Sequence, residues 1–95
     1  MSPPDFEQFA AAKRAAGFDE VLAREWPPLT VLDEHTHDFA LQALLVRGEM
    51  WLSVAGRTRH LRPGDAFELA HGEPHAERYG AEGACYWVAR RAADK

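Results

Sequence analysis

The sequence predicts a small all-β domain, an antiparallel sandwich or barrel, with one α-helix in front of it. Three observations carry this. Apolar residues arrive in short runs, turn signals rich in Gly, Pro and Asp separate the runs every few residues, and only the first stretch shows a helical period. Ninety-five residues make one domain, which buries only somewhat more than about 60% of its unfolded surface. A core that thin favours a homodimer.

Residues 1–17 form the expected helical extension and 18–95 the β-domain. Ser2 can cap the helix, Pro3 fits its first turn, and Asp5 suits the positive end of the dipole. Phe6, Phe9 and Ala10 share one face, Lys13 and Arg14 sit in the last turns, and Gly17 supplies a left-handed stop after about Ala16. From Phe18 the period changes to two, and Phe18 to Trp26 reads as a strand closed by Pro27-Pro28. Leu29 to Leu32 is a short extended run. Leu41 to Val46 and Met50 to Val54 read as separate strands around a turn at Arg47-Gly48-Glu49, and Ala55-Gly56 as a tight hairpin leading to Arg57–Leu61. Arg62-Pro63-Gly64-Asp65 turns into Ala66–Leu69, and His71-Gly72-Glu73-Pro74 turns again. Pro74–Arg78 and Ala84–Ala89, separated by Gly80-Ala81-Glu82-Gly83, bring the expected total to seven or eight strands.

A net charge of −4 with both signs interspersed provides no basic stripe for phosphates, which argues against direct nucleic-acid binding. No apolar run approaches the roughly 18 residues that span a bilayer, and MSPPDFEQ lacks the basic start and apolar stretch of a secretory signal. The expected setting is cytoplasmic. The single cysteine, Cys85, fits a reducing compartment and reads as a small hydrophobe on a strand.

The chemistry concentrates in Asp33 to Gly48. His35 and His37 are spaced to project from the same side of an extended strand, and His75 arrives from another strand behind Gly64 and Gly72. Gln42 has the opposite parity to His37, so the chain must turn or bulge within Asp38 to Leu41 before Gln42 can join them. Three imidazoles and an amide oxygen converging in a barrel would suit a divalent transition metal: iron, manganese, nickel, copper or zinc. A lone His-x-His pair is commonly an accident of surface or core; this one has a third histidine behind it.

These residues resemble the cupins. His35-Thr36-His37, then Gln42 and Gly48, looks like their first motif, an HxH followed by an acid and a Gly. Gly64 through Gly72-Glu73-Pro74-His75 resembles their second. The match covers about Val21 to Arg90 and implies a jelly-roll β-barrel with a divalent metal in its mouth, held by His35, His37 and His75. Gln42 departs from the family by standing at the acid position, where it either ligates directly or hydrogen-bonds a strand or a metal-bound water. Ala70 and Tyr79 stand where Pro and Asn are usual.

Tyr79 shares parity with His75 and either faces the cavity or is a half-buried core tyrosine; Glu77, of the same parity, is the nearest candidate base, and these two are the catalytic candidates. Glu34 and Asp38 either orient the histidines or are solvated. His60 and His71 fall outside the motifs and read as rim residues. Trp51, Phe67, Tyr79 and Tyr86 are the expected pocket wall, with Trp87 beside them. Two functions follow from the resemblance: a metal-dependent enzyme, dioxygenase-like or an isomerase, acting on a small oxygen-rich molecule, or a non-catalytic module that senses a metal or small ligand. The expected elements leave no room for a helix-turn-helix after Arg91, so a direct role at DNA is expected to need a partner.

Overall fold

The structure is a computed structural model and describes residues 5–92. Ser2 and Pro3, expected at the helix start, lie outside the described residues. Helix α1 spans Phe6–Ala15 and starts from Asp5. The Gln8 N–H donates to Asp5 Oδ1 at 2.8 Å, and the Asp5 N–H donates to Gln8 Oε1 at 3.0 Å, a reciprocal capping box. At the other end Gly17 takes φ +100°, and the Phe18 N–H returns to the Lys13 carbonyl at 3.0 Å. The helix buries Phe9 and Ala10 against Phe18, Val21 and Ala89.

Six strands follow among the described residues: β1 Glu20–Trp26, β2 Val31–His35, β3 Phe39–Val54, β4 Arg57–Leu61, β5 Ala66–Leu69 and β6 His75–Ala92. All pair antiparallel. The long strands β3 and β6 each run through two layers. Their outer lengths, 39–45 and 84–92, pair with β5 and β1, while 50–54 and 75–79 pair with β4 and β2. This is the expected all-β jelly-roll sandwich with one helix, and it is built on two bent strands that both layers share.

The expected turn at Arg47-Gly48-Glu49 and the break at Gly80–Gly83 are therefore bends rather than interruptions. Register shifts fall at Leu45/Arg47 and Gly48/Met50, where β3 passes from one layer to the other beside β6. Bulges bend a strand without ending it, which reduces the expected seven or eight strands to six continuous ones. Leu41, Leu45, Met50, Leu52, Leu61, Phe67, Leu69, Tyr79, Tyr86 and Val88 fill the space between the layers. No helix among the described residues is long and apolar enough to cross a membrane.

Gly48 makes the shared bend possible. It holds φ +78°, and a Cβ there would lie 2.0 Å from the Gly83 carbonyl oxygen, whereas Gly56, at φ +79°, has nothing within 4 Å. Gly48→Ala is expected to cost about 3 kcal/mol or more in urea unfolding, and Gly56→Ala only about 1 kcal/mol of backbone strain. Equal losses at the two positions would show that the close approach of β3 and β6 does not limit stability.

Candidate metal centre

His35 ends β2 and is the register partner of His75, the first residue of β6. Antiparallel partners point the same way, so their rings meet, with centroids 4.3 Å apart. His37 lies just beyond β2, in the link to β3. Its ring stacks on Phe39 at 4.8 Å and stands 4.9 Å from His35 and 5.0 Å from His75. The Gly72 N–H donates to the His37 carbonyl at 2.9 Å, tying this link to the turn that leads into β6. The three histidines offer ligand atoms that all lie within 4.8 Å of one another.

Two backbone carbonyls orient the rings. His35 Nδ1 lies 2.7 Å from the Asp33 oxygen and His75 Nδ1 lies 2.9 Å from the Glu73 oxygen. A carbonyl only accepts, so each Nδ1 carries a proton and each ring turns its Nε2 toward the centre. His75 is 2% exposed, and its Nε2 is buried with no hydrogen-bond partner. A buried lone pair without a donor is costly, and a bound cation satisfies it. The donor set thus fits a divalent transition metal. Burial, followed by the neighbouring His75 and His35 and the Arg90 and Arg24 guanidiniums, pulls the His37 pKa below its usual value, which keeps that ring neutral.

Glu77, on the same side of β6, is buried. Its Oε2 lies 3.6 Å from His35 Nε2 and 3.5 Å from His75 Nε2, while its Oε1 accepts from the Tyr79 hydroxyl. Tyr79 is 1% exposed and stacks on Trp26 at 5.3 Å. Burial, and then neighbouring Tyr86 and Glu77, push the Tyr79 hydroxyl far above its usual range, so it is a donor and not an acid at neutral pH. A cavity of about 60 Å³ opens beside His35, His37 and Glu77, walled by Phe39, Leu41, Trp26 and Tyr86, with Arg24 and Arg90 in its lining.

Gln42 is not among these residues. Strand β3 is regular from Phe39, with no bulge before Gln42, and the register pairs Gln42 with Ala89 and Glu68 on the helix side of the sheet. There its Oε1 accepts from Lys13 Nζ at 2.6 Å and its Nε2 donates to Glu68 at 3.1 Å. The inward position of β3 belongs to Leu41. Trp51 is also elsewhere, sandwiched between His60 and Arg78 on the outside of the second layer. Phe67 is a core residue packed edge-on against Tyr86. Tyr86 does line the cavity, and Tyr79 reaches it only through Glu77.

Glu34, Asp38 and His71 are exposed, and His60 pairs with Glu49 at 2.7 Å. Cys85 is half-buried, and burial raises its thiol pKa. Arg24, Arg90 and Phe39 had not been singled out in the sequence. Strand parity carries the signal for Arg24, which shares one side of β1 with Leu22 and Trp26.

No curated protein matches the chain. Among solved structures, that of the DMSP lyases RdDddP and RnDddQII superposes with a TM-score of 0.70 at 22% identity, covering 77% of this chain and 38% of that one. The Cnp3 cupin domain of Schizosaccharomyces pombe gives 0.71 at 13% identity, covering 80% and 57%. An RmlC-like cupin from Shewanella frigidimarina gives 0.64 at 22% identity, covering 79% and 69%. The chain thus spans well under two thirds of the first two, and at these identities the likeness establishes the cupin fold. Residues 18–90 match the family model of the AraC-like ligand-binding domain, and the chain, a small cupin domain, belongs to that family.

Proposed function

We propose that this cupin holds a divalent transition metal on His35, His37 and His75 and binds a small, oxygen-rich, anionic molecule beside it. The observation that carries the reading is the buried Nε2 of His75, which has no partner and is oriented inward by a backbone carbonyl. When bound, a divalent ion supplies Lewis acidity to an oxygen of the ligand or of water.

The protein's own residues define what can enter. A cavity of about 60 Å³ holds roughly two waters' worth of space, so it suits the head of a small ligand reaching in from solvent. Arg24 lies over Trp26 at 4.8 Å and Arg90 over Phe39 at 4.7 Å, which fixes both guanidinium planes at the cavity. Arg90 also bonds Glu20 at 3.2 Å, yet its Nε is buried without a partner. Arg24 has no carboxylate partner among the described residues, and Arg90 keeps an unpaired Nε beside its Glu20 contact, so both can still serve an anion, and a carboxylate group matches their fork.

Binding is the leading reading, since the family matched is a ligand-binding domain. Catalysis is the second reading. It draws on the lyases among the structural neighbours.

Protein purified without a histidine tag and loaded with cobalt, nickel, zinc, iron or manganese should retain close to one metal per chain by elemental analysis. His35→Ala and His75→Ala should lose it; unchanged content in both would end the metal reading. Small carboxylates should raise the melting temperature of the loaded protein, and Arg24→Gln or Arg90→Gln should reduce that rise, whereas neutral amides of the same size should have little effect. Oxygen uptake or substrate loss with diketones and catechols would instead favour the enzyme.

His37 also makes a pH prediction for the metal-free protein. Its folded pKa lies below the unfolded value of 6.5, so as pH falls the unfolded chain takes up the proton first. The stability associated with neutral His37 is present above pH 6.5 and is lost as pH falls through the folded pKa. Urea midpoints should therefore drop between pH 7.5 and 5.5, and less so in His37→Asn.

A further inference from the structure

We infer that Glu77 is the fourth protein ligand of the metal centre, a carboxylate delivered by β6 two residues after His75 instead of by β3. The inference rests on the metal reading above and goes beyond it by assigning the centre's charge. Its starting point is an electrostatic conflict. Both Nδ1 atoms give their protons to backbone carbonyls, so the Nε2 atoms of His35 and His75 present lone pairs, and Glu77 Oε2 faces them at 3.6 and 3.5 Å. With the rings in the Nδ1–H tautomer, three acceptors meet at one point, and no hydrogen bond joins them. Such an arrangement repels unless a positive species lies between.

The spacing identifies that species. A protonated imidazole bonded to a carboxylate would bring N and O to about 2.8 Å, well inside the observed 3.5 Å. Two ligand atoms at about 2.0–2.1 Å from one tetrahedral ion stand about 3.4 Å apart. The separations are too long for a hydrogen bond and suit two donors on one metal.

The second oxygen supports the same assignment. Glu77 Oε1 accepts from the buried Tyr79 hydroxyl, whose ring stacks on Trp26. This fixes the carboxylate with Oε2 alone turned to the histidines, the arrangement of a ligating carboxylate held from behind. Tyr79 is then a positioning residue. Strand β3 offers no rival: Leu41 takes its inward position, and Gln42 is bonded to Lys13 and Glu68 on the other face. With Glu77 ligating, a divalent centre has a net charge of +1 instead of +2.

The test is equilibrium competition for Co²⁺ and Zn²⁺ against a chromophoric chelator, with the visible spectrum of the Co²⁺ protein as second readout. Glu77→Gln keeps the shape and removes the charge; it should weaken binding about tenfold or more and change the Co²⁺ bands. Tyr79→Phe should weaken binding by a smaller factor and shift the same bands. Gln42→Ala should leave affinity and spectrum at the wild-type values. Should Glu77→Gln fail to fold by circular dichroism, Glu77→Asp, which withdraws the carboxylate by one methylene, carries the same comparison. Wild-type affinity and an unchanged spectrum in the Glu77 variant would overturn the assignment while leaving the histidine site intact. A wild-type protein that binds neither ion would remove the metal reading and this assignment together.

Discussion

Two backbone carbonyls set the chemistry of this domain. The oxygens of Asp33 and Glu73, each two residues before a histidine, fix the tautomers of His35 and His75 and turn both Nε2 atoms inward. Neither contact depends on a side chain beyond the imidazole itself. Each contact is local, spanning two residues, and the pairing of β2 with β6 brings the two rings together by making His35 and His75 register partners. The rest of the barrel keeps these two strand ends in place. The bend at Gly48 lets β3 stay beside β6 across both layers, and the Gly72 contact holds the His37 link against the turn before His75. Because the orienting groups are backbone, the site is as rigid as the sheet that bears it.

The two faces of the outer layer divide the labour. Inward positions, Leu41, Ala43 and Leu45 on β3 with Val88 and Tyr86 on β6, build the core and the cavity wall. The opposite face, with Gln42, Leu44, Trp87 and Ala89, receives α1. Phe6 and Phe9 both meet the Trp87 ring at 5.7 Å, and Lys13 spans from the helix to Gln42 at 2.6 Å. Gln42 thus serves helix docking, a role that strand parity alone assigns once β3 is known to be regular.

That distinction explains what was legible in the sequence. The helix, the strand segments, the HxH pair and His75 were readable because each rests on local periodicity or on a turn residue with a defined φ. Continuity of β3 through Gly48 and of β6 through Gly80–Gly83 was not, because a bulge and a turn use the same residues and only the partner strand separates them. Gln42 was misplaced for a related reason. Its joining the histidines requires a turn or bulge within Asp38 to Leu41, and β3 instead runs in regular register from Phe39, which sends Gln42 to the opposite face. Glu77 was visible by parity with His75, but its closeness to both Nε2 atoms comes from the β2–β6 register, which no local pattern encodes. Trp51 was assigned to the wall by its aromatic character, while its partners His60 and Arg78 lie on the outer face.

The charge balance follows from the same geometry. Inside the barrel the Tyr79 hydroxyl keeps its proton, because burial and neighbouring Tyr86 and Glu77 all oppose the phenolate. It therefore donates to Glu77 Oε1 and holds the carboxylate in place. Outside, Arg24 and Arg90 add positive charge at the cavity and help to keep His37 unprotonated. Positive charge on the solvent side and a held carboxylate on the core side set up a field across the imidazoles. Such a field would draw a cation toward Glu77 and an anion toward the guanidiniums. On the proposed reading the metal lies against the imidazoles and Glu77 and the anion against the guanidiniums, so each would meet groups of opposite character.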